Sequence, residues 1–338
     1  MTSSKLALIT LFAACSIAWT KQAAAEHGES MTLALDNDVF TGSDNNYTNG
    51  IGFSWVSADL ATYPEDKFIR KWARFWSFLP FVSNEDYKTY ASWSVVQEMD
   101  TPDNIMNPNP PVNDQPYAGI LYVDNILYSK KDRWAHAWEL KVGVVGPAAL
   151  AESTQKAFHR IIGSDEPMGW DTQLPNEPVI NIGYTVAHVV ADGHVGKSAE
   201  WRIVPVGTAG LGTYFTGIGV GAYGEFGWHL VDALGGTALR AGLNSAATVG
   251  VGPVPGWSVA FFAGAAGYGV ARYLPLDGDV FRDSRSVDAK SYVGQRSAGF
   301  SVRHRGFVMS LAVTHFTPTF QTERAKTDFG TLSVSWFL

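Results

Sequence analysis

The chain has 338 residues, 17% of them charged and 13% aromatic, with 12 Trp and 34 Gly. That is low in charge and rich in aromatics and glycine for a soluble globular protein. Setting aside Lys5 and Lys21, which lie in the leader described next, 23 basic residues face 32 acidic ones, a net charge of −9 that argues against a nucleic-acid partner.

Residues 1–25 begin with Lys5, continue through the apolar LALITLFAACSIAW and end in AAA before Glu26. They read as a secretory signal peptide cut after Ala25, leaving 26–338 as the mature domain. An apolar run of about 14 residues is short for a transmembrane helix. Cys15, the single cysteine, falls inside this leader. FAAC loosely resembles a lipoprotein signal, but Phe12 stands where Leu is usual and apolar residues continue past the cysteine. The mature chain therefore has no disulfide and no thiol chemistry.

Beyond the leader, alternation with period two dominates. Strands are expected near 30–36, 49–58, 89–99, 117–128 and 133–145. In the last of these, Trp134, Trp138, Leu140, Val142 and Val144 share one face and Glu139 and Lys141 the other. Residues 146–173 break the pattern and read as a helix, which Pro147 can open and Gly163 ends. Strands resume near 178–191, 200–212, 215–228, 257–272, 291–303, 306–316 and 328–338. Gln295, Ser297, Ser301 and Arg303 form one polar face, and Ser310, Ala312 and Thr314 oppose Phe307, Met309, Leu311 and Val313. A thirteenth segment, 239–250, is interrupted by NSAAT and is set aside, because single-chain bacterial barrels have even strand numbers.

Segments of this length, with charged polar faces and aromatics near their ends, fit a transmembrane β-barrel with apolar residues toward lipid. The expected fold is all-β: a 12-stranded antiparallel barrel with a short helix in an extracellular loop, and a long connection at about 229–256 on the periplasmic side. The chain ends GTLSVSWFL, close to the outer-membrane insertion signal, with Leu338 where Phe is usual. A closed barrel has no free edges, which favours a monomer.

Polar residues concentrate in the loops of one rim. The first hairpin, LALDNDVFTGSDNNYTNGIGFSW from Leu33 to Trp55, carries Asp36, Asp38 and Asp44 between its strands. Alternation puts Ala34, Asp36 and Asp38 on the inward phase, and Thr48, Gly50, Gly52 and Ser54 on the inward phase of the next strand. Taken alone, the acids read as a solvated turn, and Phe40 and Thr41 break any EF-hand pattern. On the helix, Gln155 and His159 are spaced i, i+4 and share a face. By themselves they read as an ordinary polar face. His136, His229 and His315 read as strand or interface residues, and Trp170, Asp171 and Glu177 as bracing for the helix.

In order, NDVF (37–40), YTNG (47–50), QPYAG (115–119), GVVGP (143–147), QKAFHRIIGS (155–164) and GWDTQLPNE (169–177) resemble the outer-membrane lipid A 3′-O-deacylase family. The likeness is carried by 33–185. It implies a twelve-stranded barrel with its site on the extracellular side, and Ca²⁺-dependent hydrolysis of the 3′-linked acyloxyacyl ester of lipid A in the outer leaflet. Carried over, the family's Asn-Asp pair, also its metal site, falls on Asn37 and Asp38. Its Thr falls on Thr48, its Gln and His on Gln155 and His159, and its acid after the helix on Asp165. The family's lysine before the fourth strand has no counterpart, because 89–129 contains no lysine.

The chemistry suits these residue types. A neutral His can take a proton from water, and a Ca²⁺ ion on oxygen ligands can stabilise an oxyanion. A serine nucleophile is disfavoured, as no G-x-S-x-G elbow is present. Two alternatives stay open: a phospholipase-like esterase with the same logic, and a non-catalytic barrel acting as a pore or interaction protein.

Overall fold

A computed structural model describes residues 28–37, 47–82, 84–231, 248–323 and 327–338. Their strands are β1 (Ser30–Asn37), β2 (Tyr47–Val56), β3 (Lys88–Asp100), β4 (Ala118–Lys131), β5 (Trp134–Val145), β6 (Glu177–His188), β7 (Ala191–Val195), β8 (Ala199–Gly212), β9 (Phe215–Trp228), β10 (Val254–Tyr273), β11 (Tyr292–Arg305), β12 (Phe307–Phe316) and β13 (Asp328–Phe337). Neighbours pair antiparallel, β1 pairs with β13, and β6 pairs with β8. The short β7 pairs only with β8, so the ring itself is a closed barrel of twelve strands. Each of the twelve expected strands is present. The proposed leader and most of 239–250 lie outside the described residues.

Closure follows from the alternation. Val95, Val123, Val142 and Ile180 point outward and are exposed. The opposite parity is polar and turned inward. There Ser54 accepts a hydrogen bond from Ser94 at 2.9 Å, Thr32 and Ser335 meet at 2.7 Å across the β1–β13 seam, and Ser297 meets Thr314 at 2.9 Å. Farther up the lumen, Glu98 accepts from Tyr122 at 2.5 Å and from Tyr214 at 2.8 Å. Lys141 lies over both rings, 3.8 and 4.2 Å from their centroids. A cavity of about 390 Å³ remains around them.

Both ends of this lumen carry apolar caps. Leu274 and Leu174, from loops, pack against Ala118, Ile120 and Val145 at the end away from the chain termini. At the terminus-bearing end, Val249 packs with Val56, Tyr90, Ile126 and Tyr128. Val249 belongs to the β9–β10 connection, so that long connection does sit at the end that holds the termini. Its described part packs against inward-facing wall residues, which accounts for a long segment where barrels usually have tight turns.

Helix α1 (Phe68–Phe75) lies in the β2–β3 connection and helix α2 (Ala151–Ile162) in the β5–β6 connection. A 3₁₀ turn, Pro147–Ala149, precedes α2, and Leu150 at φ 59° separates the two. Gly163, at φ 71°, ends α2 in the left-handed conformation that glycine adopts without a side-chain penalty.

Candidate active site

The helix in the β5–β6 loop docks on the outer face of the wall and does not enter the lumen. The β1–β4 register lines up Asn37, Asn49, Met99 and Gly119 as successive partners along one row. Met99 has the parity of exposed Val95, so this row faces outward. A bulge between Tyr47 and Asn49 lies in the β2–β3 pairing, with the main chain of Thr48 at it. Met99 packs with Tyr117, Ala151 and Trp170. Gln97, of the same parity, donates to the Ala149 carbonyl at 2.6 Å. Where α2 touches β4 the strand has Gly119. A Cβ there would lie 2.4 Å from Cβ of Ala151.

The face that α2 turns to the wall is Ala151, Gln155 and His159. Gln155 is 0% exposed and His159 3%. By contrast, Leu150 and Ile161 are exposed, so the usual sense of an amphipathic helix is inverted. Burial of two polar groups requires partners. Trp170 supplies one: its indole N–H donates to Gln155 Oε1 at 2.7 Å. Because an indole nitrogen can only donate, the Gln155 oxygen is fixed on that side and its amide NH₂ faces the other way. Gln155 Nε2 is buried and has no partner among the described residues.

His159 Nδ1 lies 2.5 Å from the main-chain carbonyl oxygen of Asp165. A carbonyl only accepts, so Nδ1 carries the hydrogen and a neutral imidazole keeps its lone pair on Nε2. The contact from Asp165 to His159 therefore runs through its backbone, and its carboxyl group sits on an exposed residue. Asn37 is buried at the end of β1. Asp38 and Asp44 lie outside the described residues.

A second layer holds α2 in place. Tyr117 lies 4.9 Å from the Trp170 ring and donates to the Ile105 carbonyl at 3.0 Å; burial pushes its hydroxyl up to about 12, so it remains a donor. Gly169 lets Tyr117 approach, since a Cβ there would sit 2.5 Å from that ring. Glu177 accepts the amide N–H groups of Val280 and Phe281 at 2.6 and 2.9 Å. Arg285 donates to the carbonyls of Pro110 and Pro111. The 278–291 loop thus ties the Pro-rich 107–117 loop to the segment after α2.

Asp279, in that loop, buries both carboxylate oxygens without a hydrogen-bond partner among the described residues. Burial, then the charge of Glu177, raises its carboxyl to about 6. A raised acid pKa means the folded state keeps a proton that the unfolded state has released. Stability from this group is greatest below its ordinary value and is lost as pH rises through 6. Asp279→Asn is expected to raise the thermal midpoint of the micellar protein at pH 8. The gap between variant and wild type should narrow at pH 5; an equal gap at both pH values would contradict the assignment.

Sequence reading found Gln155 and His159, and the structure puts them on one buried face. It missed Gln97, Asn49 and Gly119 as parts of the site. The available signal was phase: Asn37, Asn49 and Gln97 are polar residues at outward positions, where a plain barrel would show apolar ones.

These features define an outer-membrane-type β-barrel with a polar helix docked on its outer wall. A family model described as outer membrane protein LpxR matches residues 6–338. The chain belongs to this family, the outer-membrane lipid A 3′-O-deacylases that the motifs resemble. Among solved structures, LpxR from Salmonella typhimurium superposes with a TM-score of 0.73 at 18% identity, covering 91% of this chain and 100% of that one. Two more distant matches are the β domain of the Bordetella autotransporter BrkA (TM-score 0.42, 8% identity, 92% and 98% covered) and the NanC porin (0.35, 6%, 92% and 100%). No curated protein sequence matches the chain.

Proposed function

We propose that the protein hydrolyses the ester carrying the 3′-linked acyloxyacyl group of lipid A, at the outer-wall face of α2 on the extracellular side. The observation that carries this reading is the sidedness of the helix: Gln155 and His159 are turned to the wall while Ile161, and Leu150 just before the helix, are exposed. A lipid ester can reach such a site along the barrel surface without leaving the bilayer.

His159 Nε2 takes a proton from water, and the water oxygen attacks the acyl carbonyl. Gln155 Nε2 donates to the oxygen on which negative charge develops. The ester C–O bond then breaks, and the imidazolium returns its proton to the departing sugar oxygen. Asp165 serves through its carbonyl, which holds the ring in the reactive tautomer. Thr48 borders the β1–β2 corner beside Asn37.

The resemblance also implies Ca²⁺. The described amide oxygens at this corner are those of Asn37 and Asn49, of the kind Ca²⁺ takes, and Asp38 is the next residue in the sequence. Among the described residues no group of three His, Cys, Asp or Glu could hold a metal; the acid that the resemblance implies for such a site is Asp38. Asn37 and Asp38 would hold the ion, which when bound supplies Lewis-acid stabilisation of the oxyanion.

The absence of lysine from 89–129 favours one second reading, a phospholipid esterase with the same residues. The capped lumen gives no support to a pore. Mass spectrometry of lipid A and phospholipids from expressing cells, with and without EGTA, separates these. Loss of one acyloxyacyl unit from lipid A, suppressed by EGTA, is expected. Unchanged lipid A with accumulating lysophospholipid would replace this reading by the second.

A further inference from the structure

At the opposite end of the barrel, the β2–β3 connection returns along the outer wall. Its Ile69 is buried with Leu60, Val82, Ala91 and Leu127, the last two being outward-facing strand residues. Trp72 Nε1 donates to Asn125 Oδ1 at 2.8 Å, and Trp138 Nε1 donates to the Pro80 carbonyl at 3.0 Å. These bonds fix α1 to the lipid-facing side of β3–β5.

The sequence from Lys67 to Phe78, KFIRKWARFWSF, has four basic residues and no acidic one. At 100° per residue, Ile69, Trp72, Ala73 and Trp76 form the stripe toward the wall. Phe68 and Phe75 form a flank beside it, and Arg70, Lys71 and Arg74 lie opposite. Phe68 and Phe75 are 66% exposed, and Phe78 is 71% exposed. Such exposure is costly in water and is matched by a bilayer interface.

Three observations narrow the partner. The aromatic flank is continuous with the membrane-facing wall: Phe68 lies 6.3 Å and Trp72 5.1 Å from Trp93, on the strand that also exposes Val95. Between helix and wall runs a groove of about 660 Å³, with Trp55, Trp93, Phe68 and Ile69 along it and Lys67 at its edge. The side chains of Lys67 and Lys71 have no ion-pair or hydrogen-bond partner among the described residues, whereas Arg74 is paired with Glu65 at 3.3 Å.

We infer that this groove binds an anionic glycerophospholipid of the leaflet at the terminus-bearing end. One acyl chain lies between Phe68 and the two tryptophans, and the phosphate is held by Lys67 at the groove edge, with Lys71 four residues on adding its charge from the same helix face. An apolar slot open to the bilayer takes a chain, and the unpaired ammonium group of Lys67 at its edge, with that of Lys71 one turn on, favours a negative headgroup over a zwitterionic one. The inference needs only a barrel standing in a membrane. It does not rest on ester hydrolysis by the His159 site.

The test is native mass spectrometry of the full chain in mild detergent, titrated with phosphatidylglycerol and, separately, with phosphatidylcholine. Wild type is expected to retain one phosphatidylglycerol at a concentration at least about tenfold below that needed for phosphatidylcholine, a preference of about 1.4 kcal/mol. Lys67→Glu/Lys71→Glu should abolish that preference, and Phe68→Ser should weaken retention of both lipids. Heat-modifiable mobility on gels reports that each variant is a folded barrel. Equal retention of the two lipids by wild type, or an unchanged preference in the double lysine variant, would overturn the site. Deacylation should be unaffected in both variants, as neither touches the His159 face.

Discussion

His159→Ala is expected to lower lipid A deacylation by roughly 10²–10⁴-fold, the usual contribution of a positioned general base. The barrel should remain folded, because His159 contributes to none of the ring pairings and its ring bonds locally, to the Asp165 carbonyl six residues on. His159→Gln is the sharper variant: it keeps a polar group in the buried slot but has no basic nitrogen. If His159 only filled space, His159→Gln would retain activity. Single-turnover lipid A conversion, with folding checked by heat-modifiable mobility, distinguishes the two. Activity within about threefold of wild type in both variants would remove His159 from the mechanism, since that difference is under 1 kcal/mol of barrier.

Gly119→Ala is expected to lower activity by at least about tenfold through position alone. The new Cβ would stand 2.4 Å from Cβ of Ala151 and 3.5 Å from the Trp170 ring. Overpacking of this kind costs about 1–3 kcal/mol, and the element most able to move is the docked helix, not the strand in the ring. Gln155 and His159 would be lifted from the wall together. Ala151→Gly in the same chain removes the opposing atom and should restore most of the activity. A damaged single variant that the second change fails to rescue would show that the loss has another cause. Small displacements matter here because reaction requires attack geometry held to within about an ångström.

Much of the barrel was legible because its physics is local. A strand in a membrane must show apolar groups to lipid on every second residue, so Val142 and Lys141 declare opposite faces from their spacing alone. The helix was legible at its end, which Gly163 closes, but not at its start: Pro147 opens a 3₁₀ turn, Leu150 turns left-handed, and α2 begins only at Ala151. Its sidedness was not legible either. A search for apolar periodicity assigns Phe158, Ile161 and Ile162 to support of the helix, yet the buried face carries Gln155 and His159. Periodicity tells which residues share a face, not which face meets protein and which meets lipid.

The same limit applies at the first hairpin. Alternation correctly placed Asp36 and Ser54 on the inward phase, and it placed Asp38 and Thr48 there too. The helix they were expected to meet lies on the outside, along the row of Asn37, Asn49, Met99 and Gly119. That row gathers residues from positions 37 to 119, and α2 adds residues near 155. Only strand register decides which of them become neighbours, and register is a property of pairing between distant segments. The extra residue at the Tyr47–Asn49 bulge shifts phase by one at the place where the site is built.

By itself the sequence determined the class of fold, twelve spans and the Gly163 end of the helix, because each is a matter of local spacing and backbone chemistry. The tertiary structure decided that Gln155 and His159 lie outside the wall and not in the lumen, that Trp170 orients Gln155, and that a backbone carbonyl sets the His159 tautomer. Those outcomes depend on contacts between segments far apart in the chain, and hydrophobic alternation carries no information about them.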